Sequence, residues 1–349
     1  MNVDEAGDAT TGLPTGQIDA LTAAATPAEI SEVESVLVTG AAGFVGSHLV
    51  EACLGLGWRV FAVDSFTDFY SKKIKASNSS QLRKNDQCIF IESDLLHADL
   101  GQLFADVDIV FHLAAQPGVR SSWGVGFDDY ARNNLMVLQR LFEAGREHPS
   151  VNMVAASSSS VYGDAESFPT LENVELRPLS PYGMTKAAGE LLAHVYRRNY
   201  GLSISMLRYF TVYGPRQRPD MAFHRLIQAA LCEKEFTVLG DGTQTRDFTY
   251  VADAVAGTIL AGLRSEAGRA YNIGGGSRHT LNSVISEIEI ISGKPLRLIY
   301  ADVQRGDVRD TSADVSRAKN ELGFEPTRSL VQGLTEQYKW HRHHGELLS

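Results

Sequence analysis

A run of seven residues near the start of the chain restricts the fold more than any other feature. An apolar strand pattern, residues 36–39, leads directly into Gly40, Gly43 and Gly46, and a helical pattern follows at residues 47–56. Gly40 permits a tight turn, Gly43 lets the backbone approach a ligand, and Gly46 allows the helix to pack against the strand. Because the N-terminus of such a helix presents free N–H groups to an anion, this GxxGxxG turn predicts a dinucleotide site.

The end of the next strand pattern bears on which dinucleotide binds. Residues 59–63 form a strand pattern that ends at Asp64, 18 residues after Gly46. An acid at this point accepts hydrogen bonds from the adenosine ribose and repels a 2′-phosphate, so the sequence favours NAD over NADP. Lys72 and Lys73 lie nearby, and we interpret them as solvated charges.

Apolar strand patterns alternate with amphipathic helical patterns up to about residue 213. The further strand patterns lie at residues 88–92, 107–113, 151–157 and 202–208, and the helical patterns at residues 95–104, 128–147 and 182–200. This alternation predicts an α/β fold with a doubly wound parallel sheet, the Rossmann fold. The turn-rich remainder predicts a smaller, mixed α/β lobe at the C-terminus.

Composition and pattern divide the chain into three parts. Residues 1–34 contain seven acidic residues and no Lys or Arg, so we expect a flexible acidic tail. Residues 35–212 are predicted to form the NAD-binding domain, with later segments at about residues 246–274 packing back on it. Residues 213–349 are predicted to form the lobe that closes over the cofactor and binds the second ligand.

Charge and cysteine content narrow the functional classes. The 32 basic and 42 acidic residues give a net charge of −10, which argues against a nucleic-acid or acidic-membrane binder. No apolar run approaches the roughly 18 residues that a membrane span needs. Cys53, Cys88 and Cys232 are far apart and lack CxxC spacing, so we expect no metal site and a reducing, cytoplasmic location.

A tyrosine and a lysine four residues apart are the first candidates for catalysis. Tyr182 and Lys186 open the helical pattern at residues 182–200, so both side chains share one face of the helix. A phenol beside a cation loses its proton more easily, which turns a group with an ordinary pKa of about 10 into a base usable near neutrality. Tyr and Lys are both common in helices, so the pair gains its meaning from the dinucleotide site that precedes it.

An ordered series of motifs resembles the extended short-chain dehydrogenase/reductase family, and within it the nucleotide-sugar 4-epimerases. The resemblance extends from Ser35 to Trp340. It rests on TGAAGFVG (39–46), SDLL (93–96), HLAAQPGVR (112–120), SSSSVYG (157–163), SPYGMTK (180–186), RYFTVYGPRQRPDM (208–221), TRDFTYVADA (245–254), YNIGGG (271–276) and QRGDV (304–308).

The resemblance implies NAD as the cofactor and a reaction at C4 of a sugar. Tyr182 would be the acid/base, Lys186 would contact the nicotinamide ribose, and Ser158 would hydrogen-bond the reacting hydroxyl. Hydride transfer from C4 to NAD would give a 4-keto sugar, and return of the hydride to the other face would invert C4. The implied NAD-binding residues are Gly40, Gly43, Phe44, Val45, Gly46, Asp64, Asp94, Leu95, Leu113, Ala114, Ala115, Tyr182, Lys186 and Tyr209.

The serines after the fifth strand pattern separate branches of this family. Where 4,6-dehydratases place an Asp-Glu pair, this chain has Ser159 and Ser160, and UDP-glucuronate decarboxylases usually place a Glu where it has Ser160. Since those acids are missing, the resemblance implies simple 4-epimerisation.

The implied substrate is a UDP-sugar, most closely UDP-glucuronate. Thr211 and Arg218 match residues that surround the C6 carboxylate in UDP-glucuronate 4-epimerases, and Gln304 also resembles that group. Arg246 falls where the family places an arginine on the nucleotide-sugar phosphates. The implied substrate-binding residues are Ser158, Ser159, Ser160, Tyr182, Thr211, Arg218, Leu239, Arg246, Gln304 and Asp307.

Other activities stay open at this point. Arg216 and Gln217 stand where glucuronate epimerases more often have Trp-Gly, so UDP-glucose and UDP-N-acetylglucosamine are the alternative substrates. UDP-glucuronate decarboxylation, 4,6-dehydration and a non-catalytic NAD-binding scaffold are weaker alternatives. Apolar helix faces near residues 135–142 and 191–195 belong either to the core or to a second subunit, and we expect the homodimer that the family commonly forms. His112 ends a buried strand pattern, so we interpret it as a core histidine.

Overall fold

The computed structural model describes residues 25–304 and 306–348. The strands are β1 (Ser35–Thr39), β2 (Arg59–Asp64), β3 (Cys88–Glu92), β4 (Ile109–His112), β5 (Asn152–Ser158), β6 (Ile204–Tyr209), β7 (Thr211–Tyr213), β8 (Glu235–Leu239), β9 (Thr245–Tyr250), β10 (Ala270–Ile273), β11 (Arg278–Thr280) and β12 (Arg297–Ala301). The helices are α1 (Pro27–Ser31), α2 (Phe44–Gly55), α3 (Lys72–Ser79), α4 (Leu100–Ala105), α5 (Phe127–Tyr130), α6 (Val137–Glu147), α7 (Pro181–Tyr200), α8 (Ala222–Cys232), α9 (Val251–Arg264), α10 (Leu281–Ser292), α11 (Leu330–His343) and α12 (Gly345–Leu348). A π-helical turn, Ala131–Met136, joins α5 to α6.

Seven strands form the parallel sheet that carries the site. Their order across the sheet is β10, β6, β5, β4, β1, β2, β3, and every pair runs parallel. The strand order therefore reverses between β1 and β4, and in such folds ligands bind outside the carboxyl ends of the strands at that point. The predicted α/β fold with a doubly wound parallel sheet is confirmed.

Successive residues of β1 supply two separate hydrophobic cores. Val36 and Val38 face one core, which α2 and α9 cover, whereas Leu37 faces the other core together with side chains of α6 and α7. A strand covered on both faces needs consecutive apolar residues rather than an alternating pattern. The Val-Leu-Val sequence of β1 therefore places the sheet between two helical layers.

The chain beyond β6 builds two small sheets and also returns to the large one. The small sheets have the orders β11, β9, β7 and β12, β8. The chain returns to the large sheet where β10 pairs with β6 and where α9 packs on α2. Buried Asp247 joins separate segments here, because its carboxylate accepts hydrogen bonds from the N–H groups of Gly275 and Ala313. The division of the chain at residue 212 stays a prediction.

The segment just before β1 is folded onto the sheet domain. Thr26 and Glu29 form a capping box that starts α1, and Glu29 makes a salt bridge of 2.7 Å with Arg264 of α9. The indole N–H of Trp58 donates to the carbonyl of Ile30 at 2.9 Å. The predicted flexible tail therefore does not extend over residues 25–34, because capping and a pairing with α9 fix them. Residues 1–24 of that tail lie outside the described residues.

Most element positions agree with the sequence patterns, and the differences have local causes. The predicted helix at residues 128–147 contains the π-helical turn, and the predicted helix at residues 95–104 shortens to α4 because Asp99 caps its start. Helix α3 was not predicted, since its polar composition gives little apolar periodicity. Throughout the described residues, each helix is too short or too polar to cross a bilayer.

Candidate active site

The glycine turn after β1 brings three pieces of backbone into contact. Gly40 has a φ of +73°, and a Cβ added there would lie 2.9 Å from the backbone nitrogen of Ala114, at the end of β4. A Cβ at Gly46 would lie 2.0 Å from the carbonyl oxygen of Gly40. Gly43 is the N-cap of α2 and offers no side-chain cap. The first N–H groups of α2 therefore face a turn that only glycine can close, which suits a bound phosphate.

Asp64, at the tip of β2, is fixed by three donors. Its carboxylate accepts from the N–H groups of Ala42 (3.1 Å) and Phe66 (2.8 Å) and from the ammonium of Lys75 (3.0 Å). Asp64 and Lys75 are both buried. The predicted ribose ligand thus also holds the glycine turn in place.

Lys75 is a residue that the sequence interpretation missed. Lys72 and Lys73 are exposed, as expected, whereas Lys75 lies on the buried face of α3 with Ile74 and Asn78. Lys75 shares its face with Asn78 and Ser79, three and four residues later, and the polarity of that face explains why apolar periodicity gave no signal. The adenosine end of the site therefore carries a cation beside its acid.

One large cleft of about 1350 Å³ runs along the carboxyl ends of the strands. It exceeds the roughly 300–1,000 Å³ of a site for one drug-sized ligand, so it has room for a dinucleotide and a second ligand. The predicted residues that line it are Gly40, Gly43, Phe44, Val45, Gly46, Asp64, Asp94, Leu95, Leu113, Ala114, Ala115, Ser158, Ser159, Ser160, Tyr182, Lys186, Tyr209, Thr211, Arg218, Leu239, Arg246 and Asp307. Gln304 is exposed and is not among the lining residues, so the structure gives its predicted role no support.

The catalytic candidates meet where α7 packs on the end of β5. Ser180 caps α7 by accepting a hydrogen bond from the N–H of Gly183, and a Cβ at Gly183 would lie 2.5 Å from the carbonyl oxygen of Ser160. This close approach places Tyr182 against the row of serines. Within that row, the Ser158 hydroxyl accepts from the N–H of Ser160 and donates to its hydroxyl, both at 3.1 Å.

Burial controls the ionisation of Tyr182. It raises the pKa of the phenol above its usual value, while a hydrogen bond with Ser158 and the positive charge of Arg218 act in the opposite direction. Lys186 donates to the carbonyl of Ala156 at 2.8 Å, and burial lowers the pKa of its ammonium to about 8. Loss of solvation therefore outweighs the nearby charges of the chain at Tyr182, so the spacing of Tyr and Lys does not by itself lower this pKa.

His112 is a core residue, as expected. Its Nδ1 lies 2.8 Å from the hydroxyl of Thr39, and burial lowers its pKa to about 3, with the charge of Lys186 adding to the effect. The imidazole is therefore neutral at physiological pH and holds the ends of β1 and β4 together.

Arg218 lines the wall of the cleft next to the tyrosines. Its Nε and one Nη donate to the two carboxylate oxygens of Asp220, both at 3.0 Å. A guanidinium has five N–H donors in a planar fork, so this side-on pairing leaves the end of the fork for another acceptor. The charge of Arg218 also lowers the pKa of Tyr130, which burial raises.

A second pair of charges spans the other end of the cleft. Arg120, in the segment after β4, makes a salt bridge of 2.8 Å with Asp307. Arg246 donates from one Nη to the carbonyls of Thr245 and Arg309. Burial lowers the pKa of Arg246; Asp307 opposes that effect and Arg120 adds to it. Arg120, which the sequence interpretation did not single out, and Arg246 are thus two cations within reach of each other, an arrangement that suits a diphosphate.

The π-helical turn supplies contacts that the sequence interpretation also missed. Asn134 accepts from the N–H of Gln116 at 2.8 Å and donates to the hydroxyl of Thr185 on α7 at 3.0 Å. Arg132 of the same turn makes a salt bridge of 2.6 Å with Asp94. The turn therefore joins the loop after β4 to the catalytic helix. No local pattern marks such a turn, since it depends on partners far away in the chain.

Comparison with known proteins identifies the family. Residues 36–274 match the model of the NAD dependent epimerase/dehydratase family. The chain belongs to this family. The resemblance inferred from the motifs is thereby confirmed.

Several relatives of this epimerase/dehydratase are similar over most of their length. A Bacillus cereus UDP-glucuronic acid 4-epimerase, solved with UDP-glucuronic acid and NAD, superposes with a TM-score of 0.86 at 45% identity, over 88% of this chain and 99% of that chain. An uncharacterized UDP-glucose epimerase, YtcB, of Bacillus subtilis (strain 168) is 49% identical over 86% of this chain and 96% of its own. A UDP-glucuronate 4-epimerase of Thermodesulfobacterium geofontis (strain OPF15) is 38% identical over 89% and 97%.

The residues of this epimerase/dehydratase fit NAD, the cofactor of the family. The glycine turn would hold the pyrophosphate at the start of α2, Asp64 would accept from the ribose, and Lys186 would face the second ribose. The apolar side chains Leu113 and Ala114 would line the nicotinamide side. The fit depends on close backbone approach at Gly40 and Gly46, where a Cβ would clash.

The pairing of Asp64 with Lys75 predicts how cofactor preference responds to substitution. In Asp64→Ser, NAD affinity should fall about tenfold or more, since hydrogen bonds to a charged group are worth about 1.5–3 kcal/mol. Lys75 then faces the 2′ position without a counter-charge, so NADP should bind more tightly than it does to the wild type. Calorimetric titration of both dinucleotides into cofactor-stripped protein measures the change. Asp64→Ser/Lys75→Ala is the control; if it gains NADP affinity equally, Lys75 plays no part.

Proposed function

We propose that this enzyme interconverts UDP-glucuronate and UDP-galacturonate by NAD-dependent epimerisation at C4, through a 4-keto intermediate and without decarboxylation. The observation that supports this proposal is the position of Arg218 on the cleft wall, where its charge acts on Tyr182. The serines at residues 158–160 line the same cleft. A cation and several hydroxyls around the reacting group suit a sugar whose C6 is a carboxylate.

The chain supplies the proton transfer and the orientation of the sugar. Bound NAD would supply reversible hydride transfer at C4. Tyr182 takes the proton of the C4 hydroxyl and later returns it, and Ser158, which hydrogen-bonds to Tyr182, orients that hydroxyl. Lys186, held by the carbonyl of Ala156, keeps a positive charge next to this centre.

The serines at residues 158–160 also bear on why the proposed reaction proceeds without decarboxylation or dehydration. A 4-keto sugar with a carboxylate at C5 is a β-keto acid, which loses CO₂ when the breaking bond aligns with the carbonyl. Fixed donors can hold the carboxylate out of that alignment, and Ser159, Ser160, Thr211 and Arg218 are in the cleft to do so. No carboxylic acid stands at residues 159 and 160 to protonate a leaving group.

Neutral UDP-sugars are the second candidate substrates. The relative from Bacillus subtilis is named as a UDP-glucose epimerase, and it shares 49% of its aligned residues with this chain. Asp220 also pairs with Arg218, so the cleft can balance that charge without a substrate carboxylate.

A substrate comparison tests the proposal. Purified enzyme is incubated separately with UDP-glucuronate, UDP-glucose and UDP-N-acetylglucosamine, and the products are separated by chromatography. We expect UDP-galacturonate from UDP-glucuronate, with kcat/KM at least about tenfold above that for UDP-glucose, because a charged pairing is worth more than about 1.4 kcal/mol.

Tyr182→Phe should fold normally and lose about 100-fold or more in kcat, while Tyr200→Phe, at an exposed site, should match the wild type. In the comparison of the three UDP-sugars, a higher kcat/KM for UDP-glucose than for UDP-glucuronate would contradict the proposed substrate.

We predict that Arg218→Ala changes the preference between UDP-glucuronate and UDP-glucose. We expect KM for UDP-glucuronate to rise about tenfold to 100-fold, since a hydrogen-bonded charge pair is lost, with a much smaller rise for UDP-glucose. Initial rates with both substrates give the ratio. Arg177→Ala, which removes an exposed arginine paired only at the surface, serves as the control. An equal loss with both substrates would mean that Arg218 serves the fold or the nucleotide instead.

We also propose that the enzyme is a homodimer that pairs through α7. Leu191 and Val195 of α7 are 66% and 49% exposed, and Met136, in the π-helical turn that packs on α7, is 58% exposed. Apolar side chains gathered on one pair of helices favour a protein partner, and a second copy presents the same face.

We predict that Leu191→Glu weakens the proposed homodimer. The wild type should sediment at twice the 38.1 kDa of one chain at micromolar concentration, and the variant should shift toward the monomer, since a carboxylate in an apolar contact is costly. Ile290→Glu is a matched control, because Ile290 is 73% exposed on α10, in the other lobe. A monomeric wild type would refute the dimer.

We further propose a cytoplasmic location. Cys53 and Cys88 are buried and free, and Cys232 is exposed and free. Free thiols persist in a reducing compartment, which supports this location.

A further inference from the structure

A buried ion pair lies directly behind the reaction centre. Glu190 of α7 and Arg208 of β6 pair at 2.6 Å, and their side chains are 9% and 6% exposed. The carboxylate of Glu190 also accepts from the Nε of Arg208 at 3.0 and 3.2 Å, and from the hydroxyl of Ser157 at 2.5 Å. Glu190 and Arg208 were not singled out from the sequence.

The pair is fully hydrogen-bonded, which a buried charge requires. The remaining nitrogen of Arg208 donates to the hydroxyl of Tyr162 (2.8 Å) and to the carbonyl of Glu172 (2.9 Å). Tyr162 in turn donates to Asn272 of β10 at 2.6 Å. The network therefore links α7 to β5, β6 and β10. Because a hydrophobic contact could supply similar stability, such pairs are often retained for the arrangement they specify.

The network reaches the two catalytic neighbours of the tyrosine by separate routes. Ser157, which donates to Glu190, lies in β5 between Ala156, the acceptor of Lys186, and Ser158, the partner of Tyr182. Glu190 itself lies one helical turn after Lys186, on the same face of α7. One carboxylate thus contacts the strand that orients the serine and faces the ammonium of the lysine.

We propose that Glu190 is a positioning residue of this epimerase: through Ser157 it fixes the end of β5 that carries Ser158, and through its charge it keeps Lys186 protonated. The first effect is geometric and the second is electrostatic, so they can be separated by substitution.

The charges around Lys186 support the electrostatic part. On α7 itself, Tyr182 and Glu190 share its face; from β4, neutral His112 lies close, and from β6, Arg208 is neutralised by Glu190. Burial lowers the pKa of Lys186 to about 8, and Glu190 is the group that raises it. A lysine is charged below its pKa, so removal of Glu190 moves the loss of that charge to lower pH.

Glu190→Gln tests the charge. The alkaline limb of kcat/KM, measured with whichever of UDP-glucuronate and UDP-glucose the wild type converts faster, should move about one pH unit toward acid. Selective ¹³C labelling of lysine gives a readout that needs no turnover: the Cε resonance of Lys186, assigned with Lys186→Arg, should titrate at a pH lower by the same amount.

Glu51→Gln is the matched control. Glu51 pairs with Arg216 at 2.6 Å and its side chain is also 9% exposed, but Glu51 lies on α2, on the opposite face of the sheet from α7, which carries Lys186. Both variants should lower the thermal midpoint, since one leaves a buried guanidinium and the other a partly buried guanidinium without its carboxylate. The titration of Lys186 should stay unchanged in Glu51→Gln. An equal shift in both variants, or no shift in folded Glu190→Gln, overturns the proposal.

Two further variants keep the test decisive. Glu190→Gln/Arg208→Gln removes both charges and so avoids the buried cation if the single variant fails to fold; the shift of the Lys186 titration should keep its direction, and an unshifted titration overturns the charge role. Ser157→Ala should lower kcat about threefold to tenfold with the alkaline limb unmoved, as expected for lost alignment. Unchanged kcat in Ser157→Ala overturns the geometric role. These readouts do not depend on whether the sugar is acidic, so they fail independently of the proposed substrate.

Discussion

The site depends on three points at which backbone lies directly against backbone. Gly40 approaches Ala114, Gly46 approaches Gly40, and Gly183 approaches Ser160, each at a distance that a Cβ would prevent. The first two contacts bring α2 and the end of β4 to the end of β1, which creates the anion-binding turn. The third brings the catalytic helix onto β5. Side-chain chemistry follows from these contacts, because Tyr182 and Ser158 reach each other only when the helix lies that close.

Enclosure of the cleft shifts the pKa values of the two catalytic groups, Tyr182 and Lys186, in opposite directions. Burial raises the pKa of Tyr182 and lowers that of Lys186, so both neutral forms are favoured. A proton transfer near neutral pH needs the opposite, and the structure places a counter-charge near each group: Arg218 for the phenol and Glu190 for the ammonium. Each of these is in turn held by a partner, Asp220 or Arg208. The reaction centre is thus enclosed by paired charges.

Local patterns predicted the sheet and much of the cleft, because strand, turn and helix each leave a short-range signal. Strand β3 has the predicted bounds, and Asp64 stands at the tip of β2. Contacts between distant segments left no such signal. Asn134 acquires its role from a π-helical turn and from Thr185, 51 residues away, and Glu190 from Arg208 on another strand. The spacing of Tyr182 and Lys186 did not reveal the raised pKa of the phenol for a related reason, since burial depends on the whole fold.

In the proposed function, the choice between an acidic and a neutral sugar depends on the geometry of the Arg218 guanidinium. Asp220 engages Arg218 through Nε and one Nη, which fixes the plane of the fork and partly balances its charge. The end of the fork can still accept a carboxylate, because a planar guanidinium can pair with two acids on two edges. A C6 hydroxyl would use the same edge with one neutral hydrogen bond, which is roughly half as strong. The proposed preference for a carboxylate would therefore come from the unused edge of Arg218, and its size would be limited by the charge that Asp220 already balances.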